Sequence, residues 1–118
     1  MRMLLRTSIV VSLLAPAPTV LAHGDLVAAS PGPWTVVAAS PAAVRIEFSE
    51  GIEPRLSGLT VTGPDGKLVP TGELEVQRAV MTAPLARPLE PGVYRVRWRV
   101  LSVDGHDTKG SYTFEVRP

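Results

Sequence analysis

The chain of 118 residues has no cysteine. No disulfide can staple it, and thiolate zinc sites, haem attachment through cysteine and thiol nucleophiles are excluded with it. Histidine is nearly as scarce, at two residues, and the aromatics number only two each of Trp, Tyr and Phe. Helical periodicity is hard to find, and there are no internal repeats and no low-complexity tail. The apolar run at residues 7–14, T-S-I-V-V-S-L-L, falls well short of the ~20 residues that span a bilayer. Excess positive charge is missing too. The formal net charge of the whole chain is +1, which argues against a nucleic acid or an anionic lipid surface as the partner.

What is present begins with a secretory leader. Arg2 and Arg6 precede the short apolar run, Pro16 and Pro18 interrupt its continuation, and Val20 and Ala22 are small residues at the −3 and −1 positions of a cut after Ala22. These features predict a secretory signal peptide over residues 1–22 and a single exported domain over residues 23–118. Losing Arg2 and Arg6 leaves 10 Lys and Arg against 11 Asp and Glu, a net charge of −1. Without disulfides the domain stands on its hydrophobic core, which for this size buries roughly 60–70% of the unfolded chain's surface.

That core is written in period two, the mark of a strand with one buried face. Residues 43–49 alternate, with Val44, Ile46 and Phe48 on one side. Residues 93–100 set Tyr94, Val96, Trp98 and Val100 against Arg95, Arg97 and Arg99, and residues 111–117 align Tyr112, Phe114 and Val116. Shorter strands are expected over residues 25–29, 59–62 and 73–81. Turn signals separate them, the plainest being S-P-G-P at 30–33, G-P-D-G at 63–66 and Pro91-Gly92. The pattern predicts an all-β domain of about seven strands, a small antiparallel β-sandwich or barrel. L-E-P-G-V-Y at 89–94 has the form of a tyrosine corner, with the Tyr94 hydroxyl bonding back to nearby backbone. Tyr94 and Trp98 are assigned to the core rather than to ligand stacking, and Met81 is assigned to core filling.

The chemistry concentrates at the two histidines. Cleavage after Ala22 makes His23 the first residue, carrying two nitrogen donors, its α-amine and its ring. The second is His106, in S-V-D-G-H-D at 102–107. Alternate residues of an extended or turning backbone point the same way, which pairs Asp104 with His106, and Gly105 lets the backbone bend close to an ion. Three nitrogens and one carboxylate form a ligand set suited to copper(II), which favours N and O donors in a tetragonal arrangement. Zinc would accept similar donors, but affinity generally favours copper. Glu50, just past the strand at 43–49, is balanced between an axial ligand or hydrogen-bond acceptor for the amine and a solvated loop residue. Asp25 and Asp107 are read as surface turn residues.

Together these pieces resemble the CopC family of periplasmic copper-resistance proteins. The matching stretches are A-H-G-D-L at the start, S-P-G-P, R-I-E-F-S-E, L-E-P-G-V-Y-R-V-R-W-R-V-L-S-V-D-G-H and G-S-Y-T-F-E-V, from Ala22 to Val116. The resemblance implies a seven-stranded immunoglobulin-like β-sandwich or barrel that holds copper(II) at one end. His23 would ligate through amine and ring, Asp104 and His106 would complete the site, and Glu50 would be a ligand or the partner of one. It also implies a role in copper resistance, buffering or delivery, not catalysis, alongside a separate CopD-type inner-membrane protein. A monomer is expected. This chain departs from many members in Gly24 after the first histidine and in Asp107 after D-G-H. Beyond the leader Met81 is its one methionine, so soft thioether donors for copper(I) are lacking.

Two other functions compete. An N-terminal histidine with a second histidine also forms the copper brace of lytic polysaccharide monooxygenases. Those enzymes need an open copper position and a flat substrate surface. This short chain places its few aromatics on core faces, and Asp104 would compete for the open position. The other alternative is a β-sandwich that makes protein contacts and binds no metal.

Overall fold

The computed structural model describes residues 26–118 of the chain. The expected leader, His23, Gly24 and Asp25 lie outside the described residues. The predicted all-β class is correct: among the described residues eight strands form two four-stranded sheets that enclose one core. The first sheet has the order β1 (Leu26–Ser30), β3 (Ala43–Phe48), β6 (Val80–Pro84), β5 (Glu75–Gln77). The second has the order β2 (Val36–Val37), β8 (Asp107–Val116), β7 (Gly92–Leu101), β4 (Gly58–Thr62).

The alternating stretches become strands with one face inside. Along β7, Tyr94, Val96, Trp98 and Val100 are all at most 4% exposed. Facing them from β3 are Val44, Ile46 and Phe48, also buried, and Met81 fills space at 0% exposure. Burying each such side chain contributes ~1.5–3 kcal/mol. Phe48 meets Trp98 edge to face across the sandwich, with ring centroids 5.2 Å apart. Tyr94 stacks on Phe114 and donates its hydroxyl hydrogen to the Glu90 carbonyl at 2.6 Å, forming the expected tyrosine corner.

The strand divisions differ from the expected ones at three places. Residues 73–81 do not run as one strand: Arg78, at φ 53°, turns the chain between β5 and β6, which pair as a hairpin. The two-residue β2 joins β8 in parallel and is too short to leave a periodic signal. Strand β8 starts at Asp107, four residues before the alternation becomes regular, because β7 pairs with it continuously from Leu101↔Asp107 to Gly92↔Val116. This long hairpin projects its loop, residues 102–106, from one end of the sandwich.

Candidate metal centre

The hairpin loop is tied by its own serine. Ser102 is 4% exposed. Its backbone N–H donates to the His106 carbonyl at 2.8 Å, and its Oγ accepts the His106 backbone N–H at 3.0 Å. The same hydroxyl donates to Asp104 Oδ1. Gly105 sits at φ 93°, a left-handed conformation that a side chain would strain. This closed turn brings Asp104 and His106 together, with His106 Nδ1 3.2 Å from Asp104 Oδ2. When Nδ1 holds the proton of that contact, Nε2 of the neutral ring is left as a free donor.

A second loop docks beside the first. Residues 49–53 leave β3 and cross toward the β7–β8 tip, where the Val103 N–H donates to the Gly51 carbonyl at 2.9 Å and Glu53 N–H to the Leu101 carbonyl at 2.8 Å. Ile52 and Ser102 form a β-bridge, and Ile52 N–H donates to the Arg78 carbonyl at 2.9 Å. The crossing segment is thus held by both sheets, and Glu50 is carried to the D-G-H turn. Ligand atoms of Glu50, Asp104 and His106 all lie within 4.8 Å of one another. Donors sharing one ion at ~2.1 Å are at most ~4.2 Å apart, so small rotamer adjustments suffice to converge them. All three residues are exposed.

Electrostatics favour a cation here. The Asp104 carboxyl is held down to about 2 by the hydrogen bond from Ser102, then by its hydrogen bond with Glu50, then by the charge of His106. Asp104 is therefore an anion at any physiological pH, and the Glu50 carboxyl group shares the same small volume. Asp107 stays out of the cluster: it makes a two-point contact with Arg99, from Nε at 3.1 Å and Nη2 at 2.6 Å. That hydrogen-bonded pairing holds the Asp107 carboxyl below the ordinary carboxylate range, favouring its ionised form.

Three of the four residues singled out from sequence are thus brought together, and the fourth, His23, lies outside the described residues. Sequence reasoning missed Ser102. Its signal was available as a polar residue directly after the apolar face of β7, two residues before the aspartate. Nothing in the sequence alone shows that its hydroxyl turns inward to bond the loop.

Residues 26–117 match the CopC domain family. Protein YobA of Escherichia coli (strain K12) is 44% identical over 103 residues, covering 85% of this chain and 83% of YobA. The crystal structure of CopC from Methylosinus trichosporium OB3b superposes with a TM-score of 0.73 at 41% identity, covering 79% of this chain and 92% of that one. PcoC, a methionine-rich copper resistance protein from Escherichia coli, superposes with a TM-score of 0.69 at 32% identity, covering 81% of this chain and all of PcoC, 100%.

Proposed function

The chain belongs to the CopC family, and from that premise we propose that it is a periplasmic copper(II)-binding protein of copper resistance, buffering or delivery. Residues 1–22 serve as the cleaved leader and residues 23–118 as the working domain. The ion is held by the amine and ring of His23, by the His106 ring and by the Asp104 carboxylate, with Glu50 as an axial ligand or as acceptor for the amine.

The observation that carries this reading is the convergence of Glu50, Asp104 and His106 within 4.8 Å at one end of the sandwich. The start of β1 supports the fourth member. Leu26 pairs with Phe48, two residues before Glu50, and β1 runs antiparallel to β3. His23 is three residues before Leu26, a reach of at most ~11 Å. Nitrogen and carboxylate donors suit copper(II). PcoC is named methionine-rich, whereas here Met81 is the one methionine outside the leader and it is buried. A copper(I) site of thioethers is therefore not part of the proposal.

With four donors filled by protein, little in-plane space is left for a reacting molecule, so the role is binding rather than catalysis. Delivery would involve a separate protein, of which a CopD-type membrane chain is the candidate. The working unit is a monomer.

A copper(II) titration of the chain beginning at His23, in competition with a chelator, tests the reading. One tight equivalent is expected, weakened at least a hundredfold in His106→Ala. Weak binding, or tight binding indifferent to His106→Ala, would overturn it.

A further inference from the structure

The outer face of the second sheet carries a row of positive charge that the metal centre does not use. Arg95, Arg97 and Arg99 occupy alternate positions of β7 and are all exposed. They stand ~7 Å apart at the rise of a strand. Their cross-strand neighbours are short: Arg95 lies between Thr62 and Thr113, Arg97 between Thr60 and Ser111. Lys109 adds a fourth cation opposite Arg99. The arginines thus form a ridge above a floor of small polar side chains.

Among the described residues, only Arg99 of these four has a carboxylate within ion-pair distance, Asp107. Arg95 Nη1 reaches no more than the Ser111 hydroxyl and Arg97 Nη1 the Thr62 hydroxyl, each at 3.4 Å. The outer face of the first sheet is different, since there Arg45 is mixed with Glu47 and Glu75. The cations are therefore gathered on one face of a chain whose 23–118 portion has a net charge of −1. Like charges two residues apart on a strand repel, and among the described residues no carboxylate lies within ion-pair distance of Arg95 or Arg97; Glu115, on the same face opposite Val93, pairs with Arg117 instead.

We propose that this face is a docking surface for an acidic protein segment bound in extended form, with carboxylates at every second residue facing Arg95, Arg97 and the Arg99–Lys109 pair. An extended chain repeats its side chains at the same ~7 Å, and guanidinium groups bind carboxylates by two parallel hydrogen bonds. An extended protein segment is favoured over a lipid surface because the guanidinium groups are spaced at the repeat of an extended chain, a register that mobile lipid headgroups do not have. The Arg99–Asp107 contact joins the lower end of the ridge to the residue after His106, so a segment bound there lies beside the D-G-H turn. The surface stands independently of what ion that turn holds.

The test uses the metal-free chain beginning at His23 and two fluorescent octapeptides of equal composition. One alternates glutamate with threonine; the other places its four glutamates in a block. Fluorescence anisotropy at low salt reads binding. The alternating peptide is expected to bind at least fivefold tighter than the block peptide, and to weaken at least tenfold in Arg95→Gln/Arg97→Gln and with 0.3 M salt. Arg45→Gln, on the other sheet, should leave binding unchanged. Circular dichroism of each variant checks that the sandwich is intact, and the milder single Arg97→Gln stands in if the double variant unfolds. Equal binding of the two peptides, or binding unaffected by the β7 variants, would overturn the proposal. So would an absence of peptide binding while phosphatidylglycerol vesicles are bound through the same arginines, which would reassign the face to lipid.

Discussion

Ser102 and His106 close the tip of the β7–β8 hairpin on each other. The backbone N–H of Ser102 donates to the His106 carbonyl, and the backbone N–H of His106 donates to the Ser102 hydroxyl at 3.0 Å. One buried hydroxyl thereby fixes both the turn and the Asp104 carboxylate. Ser102→Ala keeps the apolar packing below but frees the turn, and leaves the His106 N–H short of a partner. The expected result is metal affinity lowered about tenfold or more, with a stability loss of about 1–2 kcal/mol. Ser102→Thr should restore most of the affinity. Paired chelator competition and thermal melts separate the two effects.

The acid limb of stability follows from Asp104. Its carboxyl is lowered from 3.8 to about 2 in the folded chain. A group lowered by folding stabilises above its unfolded value, and that contribution is lost as pH falls toward the folded one. The loss should therefore fall between about pH 4 and pH 2, and Asp104→Asn should flatten it. A carbon-detected NMR titration should find Asp104 ionising near 2, and moving upward in Ser102→Ala. An unshifted carboxyl in the native chain would contradict the hydrogen-bonded turn.

Metal binding should respond to pH in a different range. Asp104 is already ionised there, so the competing protons are those on nitrogen. The α-amine of a chain start has a reference value of ~7.7–8.0, and its proton must leave before it ligates. Apparent copper(II) affinity should fall steadily from about pH 8 downward. A flat profile across that range, read by chelator competition, would remove the amine from the ligand set.

Packing beneath the site gives a stability prediction. Gly110 lies across from Trp98, and a Cβ there would come within 2.5 Å of the indole Cζ2. Gly110→Ala forces the ring off its contact with Phe48 and should cost about 1–3 kcal/mol, the usual range for overpacking. Denaturant unfolding followed by tryptophan fluorescence measures it. At the opposite end Tyr94→Phe, which removes the bond to the Glu90 carbonyl, should cost about 0.5–1.5 kcal/mol.

Much of this is legible in the sequence. The faces of β3, β7 and the regular part of β8 follow from strict alternation, and the D-G-H pairing from the geometry of residues two apart. The split of residues 73–81 was not legible, because it depends on Arg78 adopting a left-handed conformation that arginine does not advertise. β2 was not legible because two residues carry no period. Glu50 reads from sequence as either a ligand or a loop residue, because its position depends on the long-range contacts of Gly51, Ile52 and Glu53 with the hairpin tip. Such pairings join segments some fifty residues apart, and no local pattern records them.

The central claim is that one ion is held jointly by the chain start and the D-G-H turn. Electron paramagnetic resonance of the 1:1 copper(II) complex tests it most directly, comparing the chain beginning at His23 with one carrying an extra glycine before His23, and with His106→Ala. The account predicts a single tetragonal, nitrogen-rich spectrum for the first and a changed spectrum with fewer nitrogen couplings for each of the others. The same spectrum from all three would contradict it.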